Sequence, residues 1–322
     1  MKKKLIKTAI VLLALFTLVY INNSSLFVAD TSKPPFLLAH RGLAQTFPMD
    51  GIIGDTNTAE IIYEPEHPFL ENTIDSIAAA FAEGADMVEL DIHPTVDDQF
   101  AVFHDWVLDH RTDGTGVTRE HTLAQLKKID IGYGYTADGG RTFPFRGKGI
   151  GLMPSLDEVL ATFSEHELLI HIKSNDPDEG ELLAHYLSTI SETELNYLAV
   201  YGGDEPIAVL QDRLPQLRVM SKKSMQKALL AYMVTGWTGY VPPSIHNAFI
   251  ILPQNYARFL WGWPHRFIQR MNRVNTQFIL VNGDGQWSEG FDTIEDLEQL
   301  PENYSGGIWT NRIDIIAPVL RD

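Results

Sequence analysis

From Pro34 onward the apolar positions fall into short β-rich runs separated by stretches of helical period. Nine runs read as strands: Phe36–Ala39, Asp86–Ile92, Ala101–His104, Glu167–Ile172, Tyr197–Tyr201, Leu217–Met220, Ala248–Leu252, Phe278–Val281 and Gly307–Thr310. Between them, "ENTIDSIAAAFAEG" places Ile74, Ile77, Ala78 and Phe81 at i, i+3, i+4, i+7, with Asn72 or Thr73 before them as a cap. In "SLDEVLATF", Ser155 and Glu158 have capping-box spacing ahead of the stripe Leu156, Val159, Leu160 and Phe163. Such alternation implies parallel strands covered by helices, and eight units would close into a barrel. Nine candidates exceed that number by one, so one assignment is expected to be wrong. Two Gly- and Pro-rich segments, Leu43–Leu70 and Gly132–Gly151, break the rhythm. Loops of that length are usually pocket walls or lids.

The N-terminus follows a different pattern. "MKKKLIK" precedes the apolar Thr8–Ile21, and no further charge appears before Asp30. Residues 1–30 therefore read as a signal peptide or N-terminal membrane anchor, and 31–322 as the barrel domain. The lack of a clean small-residue cleavage site favours an anchor. Either way the lysines stay inside, the bulk of the chain lies on the extracytoplasmic side, and the membrane is a partner through this segment. The net charge of −17 disfavours nucleic acid as a partner. With no cysteine there is no disulfide, thiolate metal site or thiol nucleophile.

Candidate chemistry gathers where strands end, which in a barrel of this kind is where the active site forms. The first run ends in His40 and Arg41, the second carries Glu89, Asp91 and His93, the third gives His104 and Asp105, and the fourth gives His171 and Lys173. Strand alternation puts Glu89 and Asp91 on one face, and His171 and Lys173 on another shared face. Two inward carboxylates so close need a partner, and a hard divalent cation such as magnesium or calcium is the economical one. His40 and His104 flank that pair and can serve as general base and general acid. Arg41 and Lys173 can hold a phosphate against the metal. The residues alone point to metal-assisted phosphoryl chemistry.

The stretches "AHRG", "LENTIDSIAAAFAEGADMVELDIHPTVDDQFAVFHDWVLDHRTDGTG", "MPSLDEVL", "LLIHIK" and "GGIWTNRIDIIAPVL" resemble the glycerophosphodiester phosphodiesterase family in order and spacing. The resemblance is specific in the first half and weak from Asp176 to Asn275. It implies an α/β fold, a TIM (β/α)8 barrel with long βα loop insertions. The implied enzyme is a metal-dependent phosphoric diester hydrolase that releases glycerol 3-phosphate and an alcohol. It also implies His40 and His104 as the acid–base pair, Glu89 and Asp91 as metal ligands, Arg41 and Lys173 on the phosphate, and Glu71 bracing Arg41 or the metal shell. The implied partner is a small-molecule glycerophosphodiester or lipid headgroup.

Departures from the pattern shape the expectation. Where the family has its third metal-binding glutamate this chain has His171, which removes one negative charge. Weaker calcium binding or a shift toward magnesium, manganese or zinc follows, with Glu71 or His93 as an alternative compensating ligand. Where T-D is common, Thr310–Asn311 stands. The Leu43–Leu70 insertion bears on the alcohol-side pocket. Two other readings follow: phospholipase D-like action on intact lipid, and a non-catalytic phosphodiester-binding protein. Trp261, Trp263 and Phe267 could touch a bilayer, although a buried helix stripe is the simpler reading for them.

Overall fold

The computed structural model describes residues 2–28, 33–54, 56–283 and 289–321. Its strands are β1 (Phe36–His40), β2 (Met87–Pro94), β3 (Phe100–Val102), β4 (Glu167–Ile172), β5 (Leu198–Gly202), β6 (Arg218–Ser221), β7 (Phe249–Pro253), β8 (Gln277–Val281) and β9 (Gly307–Thr310). Eight run parallel in the order β6-β5-β4-β2-β1-β9-β8-β7. A single parallel bridge between Val219 and Ala248 joins the two ends and nearly closes the barrel. All nine expected strands exist, but Ala101–His104 is not a stave of the barrel. It shortens to β3 and runs antiparallel along β2, with Ile92 opposite Val102 and Pro94 opposite Phe100. The reason lies in "PTVDDQ": the Thr95 N–H donates to Gln99 O at 2.9 Å around a turn in which Asp98 has φ +56°. A connection this short can join only antiparallel strands, because a parallel pair needs a crossover.

Alternation along each strand sorts the core into two shells. Leu37, Ala39, Val88, Leu90, Ile170 and Val200 face outward and are covered by helices. Leu38, Met87, Leu169, Ala199, Phe249, Ile279 and Trp309 face inward and plug the barrel below its mouth. Helix Ile74–Glu83 is capped by Thr73, reciprocally with Ser76, and helix Leu156–Thr162 by Ser155 with Glu158. Its buried face is Ser76, Ile77 and Ala80 rather than the stripe through Ala78, which is exposed.

The two long segments form a structure of their own. Ala59, Ile62 and Leu70 from the first pack with Phe103, Leu108, Ile131, Tyr135 and Phe145 into a satellite core beside the barrel mouth. Phe267 is buried and Trp263 packs on the core, while Trp261 is exposed. Helix Lys2–Asn23 is long and apolar enough to cross a membrane, and none of it is packed inside the protein. The boundary expected between residues 30 and 31 lies outside the described residues.

Candidate active site

Strand register builds the site. β1 pairs with β2 so that His40 lies beside Glu89, and β2 pairs with β4 so that Asp91 lies beside His171. β4 pairs in turn with β5, which puts Tyr201 beside His171. All of these point inward just above the apolar plug. Immediately after β1 the chain must leave the mouth sharply. Arg41 takes φ +59° and Gly42 φ +83°, and a Cβ on Gly42 would stand 2.6 Å from Ser76 Oγ. Glycine is therefore required in "HRG" by both conformation and space.

Asp91 sits amid positive or donating groups. His171 Nδ1 is 2.9 Å away, Lys173 Nζ 3.2 Å, Arg41 Nε 3.3 Å, and Asn72 Nδ2 donates at 3.1 Å. These hold its carboxyl well below the usual carboxylate range despite burial. Glu89 is equally buried but poorly served. Tyr201 Oη–H donates to its Oε1 at 2.7 Å, while Oε2 is buried without a hydrogen-bond partner. Burial, reinforced by the Asp91 charge, pushes the Glu89 carboxyl up to about 8. An orphaned buried carboxylate oxygen beside a second carboxylate fits a divalent cation, which supplies the missing charge and coordination. Glu89, Asp91 and His171 each offer a ligand atom, all within 4.8 Å of one another. His171 stacks on Tyr201 at 4.1 Å between ring centroids, and burial lowers its pKa to about 4. It is therefore a neutral imidazole near pH 7, the form that ligates metals. Glu71 and His93 are placed otherwise. Glu71 is taken up by Arg41 at 3.1 Å and Arg111 at 2.8 Å, and His93 Nε2 faces the His104 carbonyl.

The two histidines are held by different partners. His40 Nδ1 is 2.6 Å from Asn311 Oδ1, and its Nε2 accepts from Arg41 Nε at 3.1 Å. Asn311 donates its own Nδ2 to Asp292 at 2.8 Å, so its oxygen must face His40 and accept. His40 is thus the Nδ1–H tautomer with an Nε2 lone pair turned toward the centre. Its pKa lies well below 6.5, chiefly from burial and then from Arg41. His104 Nδ1 instead meets a carboxylate, Asp105 Oδ1, at 2.6 Å. Asp105 is fixed by Arg111, whose Nε and Nη2 donate to it at 2.6 and 3.0 Å. Burial and Arg41 lower the His104 pKa, and the Asp105 hydrogen bond opposes them. His104 reaches this position because β3 turns back along β2, with Phe103 N–H donating to Asp91 O at 3.0 Å.

Arg111, Tyr201, Asp292 and Asn311 join the site beyond the residues expected from the sequence. Asn311 was visible as an unusual residue in the last strand's motif, and Tyr201 at the end of an expected strand. Arg111 lies in the quoted stretch, six residues after Asp105, but its link to Glu71 has no spacing to read, and Asp292 reaches Asn311 from outside every quoted stretch.

Two differently walled spaces adjoin the charged cluster. On the His104 side is a cavity of about 510 Å³ walled by Phe47, Ile52 and Ile53 from the first long segment together with Trp106 and Val107. On the His171 side the mouth is apolar, lined by Tyr201, Met220, Ile251, Val281 and Trp309.

Residues 40–230 match the model of the glycerophosphoryl diester phosphodiesterase family. A glycerophosphodiester phosphodiesterase of Bacillus subtilis is 34% identical over 178 residues, covering 51% of this chain and 57% of that protein. The chain spans about half the length of the curated relatives it matches. The fold is shared with a glycerophosphodiester phosphodiesterase from Agrobacterium tumefaciens, at TM-score 0.58 and 19% identity over 89% of this chain and 100% of that one. It is shared also with an Oleispira antarctica phosphodiesterase solved with the product sn-glycerol-3-phosphate, at TM-score 0.56 and 16% identity over 90% and 98%.

Proposed function

The chain belongs to the glycerophosphoryl diester phosphodiesterase family, and on that premise we propose that it hydrolyses glycerophosphodiesters to glycerol 3-phosphate and an alcohol. The observation that carries this reading is the pair of histidines, each with its Nδ1 anchored, on either side of two buried carboxylates of which one oxygen, Glu89 Oε2, has no partner. Glu89, Asp91 and His171 would hold the divalent cation, which when bound neutralises charge on the phosphate and its transition state. Arg41 and Lys173 add fixed cations for the remaining phosphate oxygens, so that charge developing on phosphorus meets preorganised donors.

The unlike partners of the two histidines divide their roles. His40 leans on a neutral amide, which gives an imidazolium little support, so it rests unprotonated; its Nε2, which accepts from Arg41 Nε–H at 3.1 Å, takes the proton of the attacking hydroxyl or water once Arg41 turns to the phosphate. His104 leans on the Asp105 carboxylate, which opposes the lowering of its pKa by burial and Arg41 and supports the charged ring it forms in passing a proton to the departing alcohol. The His104-side cavity then receives that alcohol. His171 in the ligand set favours magnesium, manganese or zinc over calcium. The helix Lys2–Asn23 anchors the enzyme, with the barrel on the extracytoplasmic side of the lysine-bearing end.

The test is release of glycerol 3-phosphate from glycerophosphocholine and glycerophosphoethanolamine after chelation and re-addition of single metals. Turnover restored by magnesium, manganese or zinc supports the reading. Silence with every metal, or turnover only on intact lipid, overturns it.

A further inference from the structure

Arg270 is buried at 4% exposure, and among the described residues the hydrogen-bond partners of its guanidinium are neutral. Its Nη1 donates to Tyr232 Oη at 2.9 Å, to Gly236 O at 3.0 Å and to Asn23 Oδ1 at 3.0 Å. Its Nη2 donates to Asn22 O at 2.9 Å. Gly236 closes helix Lys222–Thr235, and Asn22 lies in the last turn of helix Lys2–Asn23. The C-terminal ends of two helices thus converge on one cation, which their partial negative charge favours. Asn22 and Asn23 answer by donating to Trp237 O at 3.3 and 2.8 Å. Without the N-terminal helix, Arg270 would lose two of its acceptors, and a buried cation short of partners is costly. The foot of the helix, Asn22 and Asn23, is therefore tied to the barrel.

The place of this clamp follows from connectivity. Helix Lys222–Thr235 leaves β6 at the catalytic mouth and returns to the opposite end to feed β7, and helix His265–Arg273 does the same before β8. Arg270, Trp237 and the foot of the N-terminal helix therefore lie at the end of the barrel away from the active site. Around them the surface is apolar. Leu230, Met233, Val234 and Trp237 follow i, i+3, i+4, i+7, yet all are exposed, Val234 by 73%. Tyr240 and Trp261 extend the patch, and Trp261 Nε1–H is tied to Met233 O at 2.8 Å. Trp and Tyr beside a spanning helix are the residues that favour a membrane–water interface.

We propose that the base and lower flank of the barrel lie on a lipid bilayer, held by the retained N-terminal helix and the Leu230–Trp237 stripe, with the catalytic mouth turned to the aqueous phase. The occupant of the patch is the same bilayer that the adjoining helix enters. In this orientation the site takes water-soluble, deacylated phosphodiesters rather than lipids in the membrane beneath it. The inference rests on reading Lys2–Asn23 as a membrane anchor.

Because the chain has no cysteine, single labels can report each part in the full-length protein. Leu13→Cys, Val234→Cys and Val96→Cys would each carry an environment-sensitive fluorophore in vesicles of phosphatidylcholine and phosphatidylglycerol with brominated acyl chains. Val96 is exposed in the β2–β3 turn at the mouth. The expected result is loss of emission at positions 13 and 234 and none at 96. Quenching at 13 without quenching at 234 overturns the docking surface and leaves the anchor standing. Quenching at 96 also overturns it, since the mouth would then face lipid. A label at 13 that stays unquenched, or is absent from the intact mass, overturns the anchor reading itself.

Discussion

The two sides of the barrel mouth are built from the same strand–helix unit and carry opposite chemistry. On β1, β2 and β4 the inward positions are His40, Glu89, Asp91 and His171, with Arg41 and Lys173 at the rim. On β6, β7 and β8 they are Met220, Ile251 and Val281. The charged side is also the side with the long segments, whose satellite core stands behind Arg111 and His104. A buried polar cluster needs scaffolding beyond its own strands. Arg111, Asp105, Glu71 and Tyr135 form a layer outside the reacting groups that fixes them in one arrangement. The apolar side needs no such layer, since dispersion and burial hold it without directional partners. It is correspondingly the side on which the sequence resembles the family least.

The largest effect should come from the histidines. His40→Ala or His104→Ala should each lower kcat by roughly 10²–10⁴, the usual worth of a positioned acid or base. A variant that keeps near-wild-type turnover in the glycerol 3-phosphate assay would remove that histidine from the mechanism.

Next is the scaffolding. Arg111 is 2% exposed and bridges two buried carboxylates. Arg111→Met leaves Asp105 and Glu71 short of a countercharge, and unfolding by denaturant should show a loss of about 3–5 kcal/mol. A loss near zero would mean that the layer is dispensable and that the two sides differ less than their geometry suggests.

The smallest expected effect is a pH linkage confined to the charged side. The folded-state pKa of Glu89 is raised from 4.5 to about 8, so the native protein holds a proton that the unfolded chain releases. The metal-free protein should therefore lose stability as pH rises from about 4.5 toward 8. A bound cation, which competes with that proton, should protect more strongly at the upper end of the window. Thermal unfolding with chelator and with metal across that range should show the gap between the two Tm values widening with pH. Glu89→Gln should flatten the trend, whereas Met220→Ala on the apolar side should leave it intact. A gap independent of pH would sink the linkage.

What the sequence determined by itself is what depends on near neighbours along the chain. Period-two alternation sets Glu89 with Asp91 and His171 with Lys173, because side chains of a strand alternate whatever it pairs with. Ser155 was legible as a cap, and Thr73 as one of two candidates with Asn72, since a cap is satisfied within three residues. The motif around His40, Arg41 and Gly42 was legible because the turn it encodes is local. Tertiary structure decided the rest. Only the hairpin turns β3 back along β2 and brings His104 to Asp91, and only register sets His40 beside Glu89. Asp292 fixes the Asn311 amide and through it the His40 tautomer, and Arg111 joins Glu71 to Asp105. Arg270 gathers two helix ends that are more than 200 residues apart in the chain. These pairings have no period or spacing to read. They exist because buried charges must find partners, and which partners lie within reach is settled only when the barrel closes.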